Sequence, residues 1–207
     1  MNNKTLILAS NNTHKLIEVR AILGSSYKVV KQSDYKIKPI PETGLSFEEN
    51  AIIKATGVFE ATGLTTIADD SGLVVDALSG QPGVFSARYS GEHANDSSNN
   101  AKLLKNMARL NKKERAARFE CVIALIDKEQ NNQVFTFKGF WKGVILRNPK
   151  GSNGFGYDPL FFDPVIGKSS AELSDKEKNK VSHRAVALAA LKKHIKRKYL
   201  QETLLLL

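Results

Sequence analysis

Cysteine is almost missing from this chain, with Cys121 standing alone among 207 residues. A lone thiol excludes an internal disulfide and leaves no thiolate cluster for zinc. Long apolar runs are missing too. Thr5-Leu6-Ile7-Leu8-Ala9 is too short for the core of a signal peptide, and Leu204 to Leu207 is far short of a bilayer span. A cytoplasmic protein with no membrane partner is the expectation. The Walker phosphate loop is also absent: Gly167-Lys168-Ser169 has its ending, but Phe162 stands where the first glycine belongs, so a plain loop is expected there. No second histidine lies at ligand spacing from His183, and no nucleophile motif completes a Ser-His-Asp triad.

Acid is in short supply, with 21 Asp and Glu against 31 Lys and Arg and a net charge of +10. Such an excess suits either a nucleic-acid surface or a site for a small polyanion joined to a basic solvated tail. Much of it lies in Lys192, Lys193, Lys196, Arg197 and Lys198, on a helical stretch whose apolar positions are Val186, Leu188, Leu191 and Ile195. That run reads as a solvated helix face. There is no helix-turn-helix or zinc finger, and few aromatic residues stand among the basic ones, so no stable nucleic-acid partner is expected.

What is present is ordinary globular composition, 42% hydrophobic and 25% charged, enough for one well-cored domain over 1–207. Thr5 to Ala9 reads as a buried strand. A helix follows with Leu16, Val19 and Leu23 on one face and Gly24 closing it. Tyr27 to Val30 is a second strand. Ser46 and Glu49 open a helix that runs to about Ala61 and stops at Gly63. Thr65 to Ala68 is a short strand aimed at Asp69 and Asp70, after which Leu73-Val74-Val75 resumes apolar character. Asn95 or Asp96 caps a helix containing Leu103, Leu104, Met107 and Leu110, and Arg118 to Ile126 and Gln133 to Ile145 resemble a hairpin. Phe161 and Phe162 read as core. Ser174 and Glu177 repeat the capping-box pattern, and a final helix spans Ser182 to about Tyr199. Strands interspersed with helices around a central hairpin predict an α/β unit with a mixed sheet.

Four stretches can carry chemistry. Ser10-Asn11-Asn12-Thr13-His14-Lys15 leads into a helix, whose free N–H groups and positive dipole end favour a phosphate. The same polar residues also serve simply as caps. In Ala68-Asp69-Asp70-Ser71-Gly72, extended backbone turns the two acids to opposite sides, so one of them need face a site. Magnesium takes one or two carboxylates plus substrate phosphates and water. Asp70 is the main ligand candidate and Glu42 the second, the other reading of an Asp-Asp pair being a turn or cap. The Gly154-Phe155-Gly156-Tyr157-Asp158-Pro159 loop reads either as a tight turn with core aromatics or as a ring-stacking surface. Finally, Lys178 and Ser182-His183-Arg184 gather donors that can read a carbonyl on a base.

Taken together, these blocks resemble the non-standard purine nucleoside triphosphate pyrophosphatases, the inosine/xanthosine triphosphatases. The resemblance also runs through Glu42 to Ala51, Pro82 to Gly91 and Glu177 to Arg184, in order along nearly the whole chain. It implies an elongated mixed α/β fold with helices flanking the sheet, two lobes around a central nucleotide cleft, and a homodimer. It implies magnesium-dependent hydrolysis of ITP, dITP and XTP to the monophosphate and pyrophosphate. Ser10, Asn11, Asn12, Thr13, His14, Lys15 and Lys54 then look like phosphate-side contacts. Asp70 looks like the general base and a metal contact, with Glu42 as the second metal contact. Ser71, Phe155, Gly156, Tyr157, Asp158, Lys178, His183 and Arg184 look like nucleotide contacts. Ser10 replaces a threonine common in the family and keeps its hydroxyl. His14 stands where many members have glycine or lysine.

Overall fold

The apolar run at the start of the chain forms strand β1 (Lys4–Leu8), and α1 (Thr13–Leu23) follows with Leu16, Val19 and Leu23 buried. Gly24 closes the helix at φ +74°, a conformation that suits a residue without a Cβ. Next come β2 (Tyr27–Lys31), α2 (Phe47–Thr62) and β3 (Thr66–Val75). Then α3 (Asp96–Asn106), β4 (Ala116–Asp127), β5 (Gln133–Ile145), β6 (Phe161–Asp163), β7 (Lys168–Ser169), α4 (Asp175–Val181) and α5 (His183–Leu204) complete the order. This computed structural model describes residues 4–25 and 27–204, with side chains in 5–25 and 27–197. Lys198 and the terminal leucine run lie outside the described side chains.

One seven-stranded sheet holds the strands in the order β2-β1-β3-β4-β5-β6-β7. β1 pairs parallel with β2 and β3, while β6 pairs antiparallel with β5 and β7, so the sheet is mixed as expected. The chain divides into two compact units. The first comprises residues 1–70, 122–139 and 184–207, and the second 71–121 and 140–183.

In the first unit the side chains of Leu6, Ile7, Leu8, Val19, Val58, Ile67, Ile123, Leu125, Leu188 and Leu191 are buried. Helix α5 buries Arg184, Leu188, Leu191 and Ile195, spaced one helical face apart, while Lys193, Lys196 and Arg197 face solvent. Val186 is 44% exposed, contrary to the apolar face read for it, because Ala185 and Ala187 take the inward positions beside it. The second unit packs Leu73, Val75, Leu103, Met107, Leu160 and Leu173 around an aromatic group. The ring of Phe119 lies 4.5 Å from Phe161 and 6.4 Å from Trp141, tilted contacts worth about 0.5–1.5 kcal/mol each beyond burial. Trp141 Nε1 donates to Asp163 Oδ2 at 2.7 Å, satisfying both buried groups.

The sequence and the structure part at four further places. Asp69 and Asp70 lie in mid-strand rather than at a strand end, since β3 continues through Ser71 and Gly72 to Val75. Gly72 permits this, because a Cβ there would sit 2.3 Å from Ser86 Oγ, which accepts the Leu73 N–H at 2.9 Å. Helix α3 stops at Asn106, leaving Met107 as its C-cap and Leu110 beyond it. Phe161 is buried as expected but Phe162 is only half-buried. Gly167-Lys168-Ser169 is a turn into a strand, with Gly167 at φ +75° between β6 and β7. Strands of three and two residues carry no readable periodicity.

The α4 capping box is reciprocal: Glu177 N–H donates to Ser174 Oγ, and the Glu177 carboxylate accepts from the Ser174 hydroxyl and N–H at 2.7 and 2.8 Å. Those bonds, the hydroxyl's first, lower the Glu177 carboxyl to about 2. A depressed acid adds stability that is complete above its unfolded value of about 4.3 and is lost as pH falls from there toward the folded value. Ser174→Ala is therefore expected to bring the Glu177 pKa back toward about 4.3, read by NMR titration of its side chain. A value unmoved by the substitution would reject the hydroxyl as the cause.

Candidate active site

Both acids of β3 are buried, and each finds a cation in the first unit. Asp69 is fully buried; Arg184 Nε donates to its Oδ2 at 2.7 Å and Arg184 Nη2 to its Oδ1 at 3.3 Å. Lys15 Nζ lies 2.5 Å from the same Oδ1. Burial alone would push Asp69 up, but the charges of Arg184 and Lys15 hold its carboxyl well below the usual range. The remaining guanidinium nitrogen, Nη1, donates to Glu18 Oε2 on α1 at 2.5 Å. Arg184 thus ties β3 to α1 from the first turn of α5.

Asp70 turns the other way, as extended backbone requires. Lys54 Nζ donates to Asp70 Oδ1 and Glu42 Oε1, both at 2.7 Å, and to the Asp69 carbonyl at 2.9 Å. All three ammonium protons are used. Burial lowers the Lys54 pKa, yet the carboxylates of Asp70 and Glu42 outweigh it and raise the group. Burial raises the Asp70 pKa, with Lys54 opposing. Asp70 Oδ2 is buried without a hydrogen-bond partner among the described residues. Four carboxylates (Glu18, Glu42, Asp69, Asp70) here meet three cations (Lys15, Lys54, Arg184). A negative excess and an open carboxylate oxygen fit a hard cation that takes its other ligands from phosphate and water. Among the described residues, no group of three or more His, Cys, Asp or Glu side chains forms a cage for one.

The Ser10–Lys15 segment performs its capping role: Asn12 Oδ1 accepts the Lys15 N–H at 3.1 Å, and Ser10 Oγ accepts the Asn12 N–H at 3.1 Å. Asn11, Asn12, Thr13 and His14 are exposed at the N-terminus of α1. Lys15 also donates to the Asp69 carbonyl at 3.2 Å.

The other predicted residues lie in the second unit, apart from Arg184. Asp158 is the organiser there, and its oxygens are filled. Oδ2 accepts from Lys178 Nζ at 2.6 Å and from Phe155 N–H at 2.9 Å, while Oδ1 accepts from Ser170 Oγ at 2.7 Å. Gly154, at φ +78°, is needed because a Cβ would meet Asp158 Oδ2 at 2.0 Å. The Lys178 ammonium also lies 4.9 Å from the Phe155 ring centre. Tyr157 faces inward, its hydroxyl donating to the Ser86 carbonyl at 2.8 Å, and burial raises its pKa. The His183 imidazole stacks on Phe119 at 4.7 Å and 14°. Ser71, half-buried in β3, is the first residue of this unit.

Residues 6–194 match the model of the Ham1 family. The chain belongs to that family. It is 50% identical over 189 residues to a dITP/XTP pyrophosphatase of Xanthomonas axonopodis pv. citri, covering 91% of this chain and 95% of the relative. It is likewise 50% identical over 192 residues to a dITP/XTP pyrophosphatase of Geobacter sulfurreducens, covering 92% and 96%. A solved HAM1 protein of Coxiella burnetii matches with a TM-score of 0.86 at 42% identity, covering 94% of this chain and 99% of that one. The Ham1 protein of Staphylococcus aureus matches at 0.85 and 39%, covering 94% and 100%.

Sequence reasoning singled out Asp70 and left Asp69, Glu18, Ser170 and Phe119 without a role. One signal was available for Asp69. Arg184 falls on the apolar face of α5 at four residues from Leu188, and a guanidinium buried there needs acceptors, among which a buried carboxylate also answers its charge. Removing it strands that carboxylate. Arg184→Ala is expected to cost about 3–5 kcal/mol in urea unfolding, with Arg184→Lys recovering part because an ammonium cannot fork. A loss below about 1 kcal/mol, the worth of an exposed pair, would show that Lys15 suffices for Asp69.

Proposed function

We propose that this chain hydrolyses non-standard purine nucleoside triphosphates, ITP, dITP and XTP, to the nucleoside monophosphate and pyrophosphate. The observation that carries the reading is Asp70: a buried carboxylate with one oxygen held by Lys54 and the other unengaged. The names of relatives at half identity over nine-tenths of the chain support the substrate class.

A water molecule attacks the α-phosphorus, its oxygen forming the new P–O bond as the bond to the β-phosphate breaks. Asp70 orients that water and takes its proton, for which its raised pKa suits it better than an ordinary aspartate. Asp70 and Glu42 would hold a magnesium ion, which when bound supplies positive charge to the phosphate oxygens. Lys15 and the Ser10–His14 backbone bind the phosphates, with Lys54 contributing its charge from beside Asp70 and Glu42, and Lys15 countering charge on the departing pyrophosphate. Phe155 stacks on the base and His183 donates to its 6-keto oxygen, with Ser71, Gly156 and Lys178 beside them. Adenine presents an amino group at that position and leaves the donor unmatched. Asp158 and Tyr157 act through the loop they fix, and Arg184 acts through Asp69. The central cleft and two lobes implied by the resemblance belong to this proposal, as do the homodimer and the cytoplasm. Among the described residues no helix is long and apolar enough to cross a membrane.

Pyrophosphate release across ITP, XTP, dITP, GTP, ATP, dUTP and dTTP is the test, with ITP, XTP and dITP expected to dominate. A preference for dUTP or dTTP, or no release at all, would sink the reading. Asp70→Asn is expected to keep the far-UV spectrum and lower kcat by about 10²–10⁴. Turnover near that of the wild type would remove Asp70 from the base role. His183→Ala should shrink the ITP-to-ATP ratio in kcat/KM by about tenfold or more, since one buried hydrogen bond is worth about 1–3 kcal/mol. An unchanged ratio means that His183 does not read the base.

A further inference from the structure

The loop assigned to the base is gripped from a helix that has no part in the reaction so far. Gly156 has no side chain of its own to anchor it, and its φ of +63° lies in the left-handed region. Its N–H donates to Asp96 Oδ2 at 2.6 Å, and its carbonyl accepts from Asn100 Nδ2 at 2.9 Å. Asp96 and Asn100 are four residues apart on α3, hence one turn apart on one face. Both polar groups of Gly156 are therefore held by side chains of one helix.

That helix is a firm platform. Leu103 is fully buried in the core of the unit, and Asn99 accepts the Ser90 N–H at 2.8 Å and donates to the Ala87 carbonyl at 3.1 Å. Asn95 and Ser98 cap its start reciprocally. The loop is thus fixed at two points, by Asp158 and Lys178 around Phe155 and by α3 at Gly156. Only the second lacks a role in the reading above.

We propose that Asp96 and Asn100 are positioning residues for base recognition, holding the Phe155–Tyr157 loop in its binding shape before the nucleotide arrives. The inference rests on the function proposed above. A loop already ordered gives up no backbone freedom on binding, so base affinity rises without any contact from α3 to the ligand. The effect belongs to the base and not to the phosphates, whose contacts lie at the start of α1 and beside Lys54 on α2.

Inosine monophosphate and pyrophosphate separate the two. In calorimetry, Asp96→Ala and Asn100→Ala are each expected to weaken inosine monophosphate by about tenfold and leave pyrophosphate affinity unchanged, the scale of one lost hydrogen bond. The KM for ITP should rise in step while kcat stays within about twofold, a loss of uniform binding. Asp96→Asn keeps an acceptor for the Gly156 N–H and should restore most of the affinity. Asn100→Asp removes the donor at equal size and covers the case in which the alanine variant does not fold. Asn95→Ala weakens the α3 cap without touching Gly156, so it should lower Tm and spare inosine monophosphate. The proposal falls if the clamp variants bind inosine monophosphate like the wild type, if both ligands weaken together, or if Asn95→Ala weakens it equally. Pyrophosphate release from ITP by the wild type, with unchanged inosine monophosphate affinity in the variants, rejects the clamp alone. Loss of inosine monophosphate in the variants of a protein that releases no pyrophosphate rejects the reaction and keeps the clamp. A wild type that neither binds inosine monophosphate nor releases pyrophosphate from ITP rejects both.

Discussion

A carboxylate fully shielded from water has to be answered by charge, and Asp69 is that carboxylate here. Its side chain takes the fork of Arg184 and the ammonium of Lys15, and its carbonyl takes Lys15 and Lys54. Helices α1, α2 and α5 are thereby referred to one residue of β3. Arg184 extends the tie to Glu18, and Lys54 extends it to Asp70 and Glu42. Asp70 is placed by its neighbour, because the lysine that holds it is itself held by the Asp69 backbone.

The two acids occupy opposite conditions in consecutive residues. Asp69 is saturated with partners and its carboxyl is driven down; Asp70 is short of them and its carboxyl is driven up. Asp158 in the second unit is filled like Asp69, with both oxygens engaged by Ser170, Lys178 and the Phe155 N–H. Saturated acids fix geometry, and Asp70 alone of the three keeps an oxygen without a hydrogen bond among the described residues. Rigid support of this kind is what a site needs before substrate arrives, since hydrogen bonds made during the reaction then require little rearrangement.

Much of the fold was legible from local rules. Gly24 and Gly63 end helices in the left-handed region, Asn12, Ser46, Asn95 and Ser174 cap them, and the long strands follow their apolar runs. Failures came where long-range contacts overrule local pattern. The Asp69-Asp70-Ser71-Gly72 stretch looks like a strand terminus, yet ion pairing and the approach of Ser86 keep it extended. Within the candidate site, Lys15, Asp70 and Glu42 were named for their chemistry and Lys54 through the resemblance, and the four lie together around β3. Glu18 and Asn100 were not, because nothing near an exposed-looking helix residue announces a partner 166 or 56 positions away.

The meeting of Gly72 with Ser86 has a bearing on how the sequence can drift. The Ser86 hydroxyl accepts the Leu73 N–H and donates to the Gly83 carbonyl, and its own carbonyl receives the Tyr157 hydroxyl. A smaller residue at 86 orphans the strand amide, and a larger one collides with β3 across a gap that already admits no Cβ at 72. Gly72 can only grow, and Ser86 can neither shrink nor grow without loss, so each residue limits what the other position can hold.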